Sequence, residues 1–473
     1  MRRTKIVCTI GPSTNSLPMI TKLISAGMDA ARLNFAHGTY EQFTEIIRCL
    51  RTGSERTGKP VAILQDLQGP RIRVAEMEGG SATLQSGQTF TLTSRKVPGN
   101  ATEASITYPS LPRDVKAGDT LLIADGALEL KVLSSDDTDI VCEVVVGGVL
   151  GSHKGINLPT GTIRVPALTL KDKEDLRFGL SKGVDFVSLS FVRSAAEIKG
   201  LRELMEEEGR VAPIIAKIEK HEALDSIDDI IGAADGLMVA RGDLGVEIPI
   251  ERVPLVQKML IHKANAAGKP VITATQMLRS MVTSPRPTRA EATDVANAVL
   301  DGTDAIMLSE ETASGQYPVE AVQMMDKIAV ETERELSLIH CPSAAELLCS
   351  RAVPDAISHA ATSAASDVVA AAIVTPTRTG STARLVARHR PSQPIVAVSP
   401  NIQTVRRLCL TWGTIPIHVQ KGSQTEEEAI ECGRKAAIEL GLARNGDRIV
   451  ITGGFPIGGP GTTNLVRVEV IGQ

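Results

Sequence analysis

Two rhythms of apolar and polar positions run along this chain of 473 residues. In the first, a short apolar run is followed by apolar residues at helical spacing. Lys5–Ile10, Ala30–Leu33 and Val61–Leu64 are such runs, and each reads as a buried strand. Leu17–Ala26, stopping at Gly27, and Tyr40–Thr57 carry the helical period between them. This strand–helix alternation predicts a parallel α/β domain. From about Val74 to Ile163 the rhythm changes to short alternating pieces, among them Ala82–Leu84, Thr89–Thr93, Thr120–Ile123, Leu128–Leu133 and Ile140–Val146, punctuated by Gly, Asp and Ser. That pattern predicts an all-β insertion, a small barrel, placed to act as a lid over the strand ends.

The α/β rhythm resumes with a helix at Lys171–Gly179 and a strand at Phe186–Leu189. The run from Pro213 through Ile215 leads into Ala216, Lys217, Ile218 and Glu219, and a helical pattern follows from His221 to Ile231, with Gly232 as its cap. Gly236–Ala240, Val271–Ala274 and Ala305–Leu308 are further strands, and a helix opening near Pro285–Glu291 runs to Leu300. With the first three strands this makes roughly eight βα units, the number that closes a TIM (β/α)8 barrel. A doubly wound open sheet would gather its polar groups at one switch point, whereas here they follow nearly every strand. After about Ile339 a small α/β domain is expected: helices at Ala356–Ser366, Ala383–His389 and Thr425–Leu440, and strands at Ala371–Val374, Ile395–Val398, Ile415–Val419 and Arg448–Thr452. The expected partition is a barrel of residues 1–70 and 164–338, an inserted β-barrel lid of 71–163, and a C-terminal α/β domain of 339–473.

Composition narrows the function classes. Aromatic residues make up 2% of the chain and the net charge is −4, so neither base-stacking surfaces nor bulk attraction to nucleic acid or acidic membranes is indicated. The seven Cys include no C-x-x-C pair, which reads as reduced thiols of a cytoplasmic protein. Met1–Lys5 lacks the apolar segment of an export signal, and no apolar run reaches the ~18 residues of a membrane span.

The chemistry concentrates at strand ends. Lys217 and Glu219 are two apart, so on one strand they point to the same side. The next strand ends in Arg241-Gly242-Asp243. A Lys, a Glu and an Asp converging at neighbouring strand ends suit a divalent cation plus an anionic substrate. In the C-terminal part, Thr377-Arg378-Thr379-Gly380-Ser381-Thr382 precedes a helix and offers amides and hydroxyls to an effector phosphate. A second Gly-rich loop, Gly458–Thr463, is placed to close over the same ligand.

Taken in order, RLNFAHG at Arg32–Gly38, the turn Asp66–Arg73, AKIE at Ala216–Glu219, ARGDLGVEIP at Ala240–Pro249, ATQML at Ala274–Leu278 and the segment Pro285–Ala313 resemble the pyruvate kinase family across the whole barrel. The insertion and the C-terminal part resemble that family's lid and effector domains. The resemblance implies phosphoryl transfer from phosphoenolpyruvate to ADP, giving pyruvate and ATP in glycolysis, by a commonly tetrameric, allosterically regulated enzyme using Mg2+ or Mn2+. It also implies roles. Glu219 and Asp243 would hold the divalent ion. Lys217 and Arg32 would neutralise the phosphoryl group in flight. Thr275 would orient the substrate and relay a proton through a water chain with Ser309 and Glu311. The amides of Arg241, Gly242 and Asp243 would grip the substrate carboxylate. Arg73 would reach the nucleotide phosphates, with Pro12, Asn34 and His37 near the nucleotide. Ending at Gln473, the chain is expected to lack the extra C-terminal module of some bacterial relatives.

The sequence departs from the pattern in three respects. Where many members hold K+ with an Asn, a Ser hydroxyl, an Asp and a Thr carbonyl, this chain keeps Asn34 and Asp66 but has Ala36 and Leu67, and Arg71 stands where K+-requiring members have Glu. A fixed charge ~4 Å from the site's carboxylates is worth on the order of 4 kcal/mol at an effective dielectric near 20, enough to replace an activator ion. Activity without K+ is therefore expected. Ser194 stands where some members place a nucleotide-contacting Lys, with Arg193 beside it, and Glu310 replaces a frequent Gly. Two competing readings are a metal-dependent aldolase or lyase on a barrel, and a catalytically silent sensor of sugar phosphates or nucleotides. The first would lack the lid, Arg73 and His37, and the second would have lost Lys217 or Thr275.

Overall fold

The computed structural model describes residues 1–162, 164–335, 352–420, 422, 425–455 and 463–472. Of the expected loop Gly458–Thr463, all but Thr463 lies outside the described residues, as does the expected boundary at 338/339.

Eight parallel strands close a barrel: β1 (Lys5–Thr9), β2 (Ala30–Asn34), β3 (Ala62–Asp66), β4 (Phe186–Leu189), β5 (Ile214–Ile218), β6 (Gly236–Ala240), β7 (Val271–Ala274) and β8 (Ala305–Leu308). Each pairs with its sequence neighbours, and β1 pairs with β8 to complete the ring. Buried on both faces, the strands are mostly apolar instead of alternating, with polar residues gathered toward their ends. Alternate residues divide between two cores. Ile6, Cys8, Leu33, Ile63, Ile214 and Leu237 pack outward against the helices. Val7, Ala30, Leu64, Phe186, Ile215, Met238, Ile272 and Met307 fill the barrel interior. Cys409 and Leu410, from the C-terminal part, belong to that interior cluster and plug the end of the barrel opposite the strand termini.

Helix ends follow local chemistry. Thr39 caps Tyr40–Thr57 in a reciprocal box with Gln42, and Gly58, at φ +66°, stops it. Thr169 and Asp172 do the same for Leu170–Lys182. The helical pattern expected from His221 to Ile231 is two helices, Glu222–Asp225 and Ile227–Ala233, broken at Ser226 and ended at Ala234, not at Gly232.

Between β3 and Leu170, the β insertion forms a six-stranded sheet and a two-stranded pair. These wrap one apolar core that includes Phe90, Leu121, Leu130, Ile140 and Leu150, with no ladder joining the two sheets among the described residues. After residue 352, strands Ala372–Pro376, Ile395–Ser399, Thr414–His418 and Arg448–Gly454 form a parallel sheet, edged by an antiparallel strand, Thr463–Val470.

Candidate active site

Because side chains alternate along a strand, each interior row of the barrel runs upward into the polar groups at its C-terminal end. Ile215 is followed on the same side by Lys217 and Glu219, Ala30 by Arg32 and Asn34, Leu64 by Asp66, and Phe186 by Ser188 and Ser190. Lys217, Glu219, Arg32 and Asn34 meet at a cavity of about 730 Å³, with Asp66, Ser188 and Ser190 behind its wall. Pro12, Arg32, Asn34, His37, Arg71, Lys217, Glu219, Asp243, Thr275 and Ser309 all line it, so ten positions singled out in the sequence share one space.

Charges there are paired and buried. Lys217 Nζ lies 2.9 Å from Glu219 Oε1 and 3.4 Å from Asp66 Oδ1, and donates to Ser190 Oγ at 2.7 Å. Arg32 Nε donates to Asp66 Oδ2 at 2.7 Å, and Ser188 Oγ to Asp66 Oδ1 at 2.7 Å. Burial works to raise the Asp66 pKa, but Lys217 and Arg32 together hold it down at about 2. Burial works against the Lys217 ammonium, yet Asp66 and Glu219 outweigh it and leave its pKa raised. The Glu219 carboxyl is pushed up, mainly by burial, with Asp243 adding to the rise and Lys217 opposing it.

Glu219 also bears on metal binding. Its Oε2 accepts the Phe191 amide at 2.7 Å, while Oε1 is buried without a well-aligned hydrogen bond. A carboxylate on the cavity wall whose Oε1 has only the poorly aligned Lys217 ammonium at 2.9 Å, beside a second carboxylate from the neighbouring strand end, is a hard-oxygen donor set that fits a divalent cation. A different cluster, His221, Glu222 and Glu247, also has ligand spacing. There the Glu247 carboxylate is already taken by Lys220 at 2.6 Å and by Asn157 of the insertion at 2.8 Å, so it ties insertion to barrel.

The ends of β6 and β7 are built around strain. Thr275 and Gln276 have φ of +75° and +56°, a region non-glycine residues enter at a cost of about 1–3 kcal/mol each. The Arg241 side chain holds this turn from below, donating to Ala274 O at 3.1 Å, Thr275 O at 2.7 Å and Asp294 Oδ1 at 2.6 Å. Its guanidinium is therefore structural, and of Arg241-Gly242-Asp243, the first turn of helix Arg241–Glu247, it is Asp243 that lines the cavity. Gly242 is required by close approach: a Cβ there would lie 2.9 Å from Thr275 Cγ2.

Several of the expected residues are placed elsewhere. Glu311 does not line the cavity. It is buried, with a carboxyl pKa raised by desolvation, and accepts the Leu278 and Ser309 amides at 3.1 and 2.7 Å, fixing the two strand-end loops. The neighbouring Glu310 is the one on the cavity wall, 3.3 Å from Arg279. Arg73 turns to the insertion and donates to His153 O at 2.9 Å, away from the cavity. Arg71 lines the cavity but reaches no carboxylate; its guanidinium sits 6.0 Å over the Phe191 ring. Asp66 and Leu67 lie behind the wall, where the Leu67 carbonyl accepts Ser190 Oγ at 2.7 Å. Arg193 pairs with Glu197 and Val165 O, and Ser194 caps the helix Ala195–Glu207.

Residues 377–382 sit apart, between strand Ala372–Pro376 and helix Ser381–Arg388. Thr377 Oγ1 accepts the Gly380 amide at 2.9 Å, Arg378 O accepts Thr404 Oγ1 at 2.8 Å, and Thr382 Oγ1 bonds Thr463 Oγ1 at 2.7 Å. Thr379 and Ser381, 3.2 Å apart at Oγ, stay at the surface. Ser188, Ser190 and the supporting role of Asp66 were missed in the sequence. Extending the two-residue alternation down β3 and β4 would have found them.

Comparison with known proteins gives the same picture along the whole chain. The family model "Pyruvate kinase, barrel domain" matches residues 1–322 and "Pyruvate kinase, alpha/beta domain" matches 355–469. Relatives named pyruvate kinase include that of Geobacillus stearothermophilus, 48% identical over 99% of this chain and 80% of its own. That of Clostridium acetobutylicum is 45% identical over 100% of both. A crystal structure of a pyruvate kinase from Cryptosporidium parvum superposes with a TM-score of 0.91 at 39% identity, covering 99% of this chain and 96% of that one.

Proposed function

This chain belongs to the pyruvate kinase family, a family of phosphotransferases that use a divalent metal, and from that premise we propose how its own residues carry the reaction. The reaction transfers the phosphoryl group of phosphoenolpyruvate to ADP: the bond between phosphorus and the enol oxygen breaks, one to the terminal ADP oxygen forms, and the enolate carbon takes a proton. The observation that carries the reading is the buried cluster of Lys217, Glu219, Asp66 and Arg32 at the floor of one cavity.

Lys217 and Arg32 face the phosphoryl group and neutralise the charge on its oxygens. Asp66 and Ser190 hold both cations in place before substrate arrives, so little reorganisation is needed. Glu219 and Asp243 hold the divalent ion, Mg2+ or Mn2+, which supplies Lewis-acid stabilisation when bound. The first-turn amides of helix Arg241–Glu247 take the substrate carboxylate. Thr275, pressed against Gly242, orients the substrate and passes a proton toward the enolate carbon by way of water and Ser309. Pro12, Asn34 and His37 form the nucleotide side. Residues 71–163 act as the lid, tied down through Asn157 to Glu247. A phosphorylated effector at the 377–382 loop, a homotetramer and a cytoplasmic location belong to the same proposal. Among the described residues no helix is long and apolar enough to cross a membrane.

Turnover without K+ is also proposed, now on different grounds from a direct pairing of Arg71. The groups that would ligate K+ are already engaged by protein donors. Asn34 Oδ1 takes the Ala36 amide at 3.2 Å, Asp66 takes Arg32, Ser188 and Lys217, and the Leu67 carbonyl takes Ser190. Arg71 adds a permanent positive charge to the cavity wall. A coupled assay of pyruvate formation from phosphoenolpyruvate, ADP and Mg2+ tests both claims. Turnover is expected with tetramethylammonium as the only monovalent cation and to change less than about threefold when K+ is added. No turnover under any ionic condition would sink the catalytic reading; turnover appearing only with K+ would sink the second claim alone.

A further inference from the structure

A second cavity, of about 560 Å³, lies at the opposite end of the barrel from the catalytic one. The turns leading into β4 and β5 form one wall, and helix Ile402–Leu408 of the C-terminal part forms the other. Five cationic side chains line it (Arg51, Lys182, Arg210, Arg406 and Arg407) against one carboxylate, Asp185. That carboxylate is already used: Asp185 Oδ2 pairs with Arg51 at 2.8 Å and accepts the Ile63 amide at 2.8 Å. Among the described residues the Arg210 guanidinium bonds only a carbonyl, Leu180 O, at 2.9 Å. Arg407 reaches Val211 O at 3.3 Å, and its Nε is buried without a partner. The Arg406 guanidinium donates no hydrogen bond and forms no ion pair among the described residues.

A guanidinium cannot shed its proton to escape burial, so charge left uncompensated by the protein calls for an anion from solution. Burial lowers the pKa of both Arg406 and Arg407, with the like charge of Arg51 adding to it at Arg406 and that of Arg210 at Arg407, while Asp185, Asp235 and Glu55 offset only part of the shift. Forked guanidinium donors match the oxygens of a phosphate group. The volume exceeds that of a bare ion and falls within the range of about 300–1,000 Å³ usual for small-molecule sites. We propose that this cavity binds a phosphate-bearing small molecule, its phosphate held by Arg406 and Arg407 with Arg210 and Lys182 at the rim. The site is separate from the 377–382 loop but shares a helix with it, since Thr404, one turn before Arg407, bonds Arg378 O at 2.8 Å. A ligand between barrel and helix therefore pulls on the element that supports that loop.

The test uses the full chain and three probes, inorganic phosphate, ribose 5-phosphate and tripolyphosphate, each compared with chloride at equal ionic strength. Thermal melting and calorimetric titration are read for wild type, R406Q/R407Q and, to isolate the loop, T377A/S381A. At least one probe should bind wild type and T377A/S381A alike, with affinity reduced at least tenfold in R406Q/R407Q. In chloride alone R406Q/R407Q should melt above wild type, because two uncompensated charges are gone. If the double variant does not fold, R406Q and R407Q singly are read for the same loss. The proposal is overturned if no probe stabilises wild type beyond chloride, if the Arg variants bind as tightly as wild type, or if T377A/S381A abolishes binding.

Discussion

Asp66 shows how much of this site depends on a residue that touches no ligand. Its carboxylate holds Arg32 and Lys217 at once, and its replacement leaves two buried cations without their counter-charge. Asp66→Asn should cost about 3–5 kcal/mol of stability at neutral pH, the range for breaking a buried ion pair, read by urea unfolding. Because the folded pKa is depressed, from 3.8 to about 2, the wild-type advantage is fully present above pH ~4 and fades as pH falls through the folded value; on the order of 2 kcal/mol of it should vanish across that window. Thr275 is a second single-residue test. Thr275→Ser keeps a hydroxyl in the strained turn, whereas Thr275→Ala removes it, so kcat should fall about 10²–10⁴-fold in the Ala variant and recover in large part in the Ser variant. Lys217, Glu219 and Asp243 were legible in the sequence because strand alternation and strand-end position fix where such side chains point, whereas the role of Thr275 came only with the family resemblance. Arg73, Glu311 and Arg71 were not. Each is long enough to turn from where its backbone aims it, and its destination depends on partners far away in the chain: His153, Leu278 and Phe191.

At the scale of elements, the junction of β6 and β7 is the most exacting. The seven-residue helix Arg241–Glu247 must start within contact distance of a threonine in a left-handed conformation, and only glycine at 242 permits it. Gly242→Ala should raise the KM for phosphoenolpyruvate at least about tenfold while costing about 1–3 kcal/mol in unfolding, the usual penalty for overpacking. Equal kinetics in the variant would mean the amides of that turn do not hold the substrate. The strands were legible as apolar runs, since burial on both faces leaves no other pattern available. Some helices were not. Val253–Ala266 carries Pro254 in its first turn, where a missing N–H costs nothing, yet a proline there reads as a break. Ile402–Leu408 spans seven residues, too short for its period to stand out, although it supports both the 377–382 loop and the basic cavity.

For the molecule as a whole, the barrel could be counted in the sequence but not assembled from it. The pairing of β1 with β8 joins segments about 300 residues apart, a long-range contact that no local pattern encodes. The same holds for Cys409 and Leu410, which fill the closed end of the barrel, and for Asn157, which ties the insertion to Glu247. These contacts bind the three regions together while leaving the catalytic cavity at the open end. The central claim is that Lys217, buried among Asp66, Glu219 and Ser190, neutralises the phosphoryl group as it moves. Its most direct test is Lys217→Met, similar in length but uncharged, compared with wild type for both turnover and Mn2+ affinity. The account predicts that kcat falls at least about 10³-fold, the scale of losing a preorganised charge contact to a transition state, with Mn2+ affinity kept within about tenfold. A variant that turns over within tenfold of wild type would contradict it.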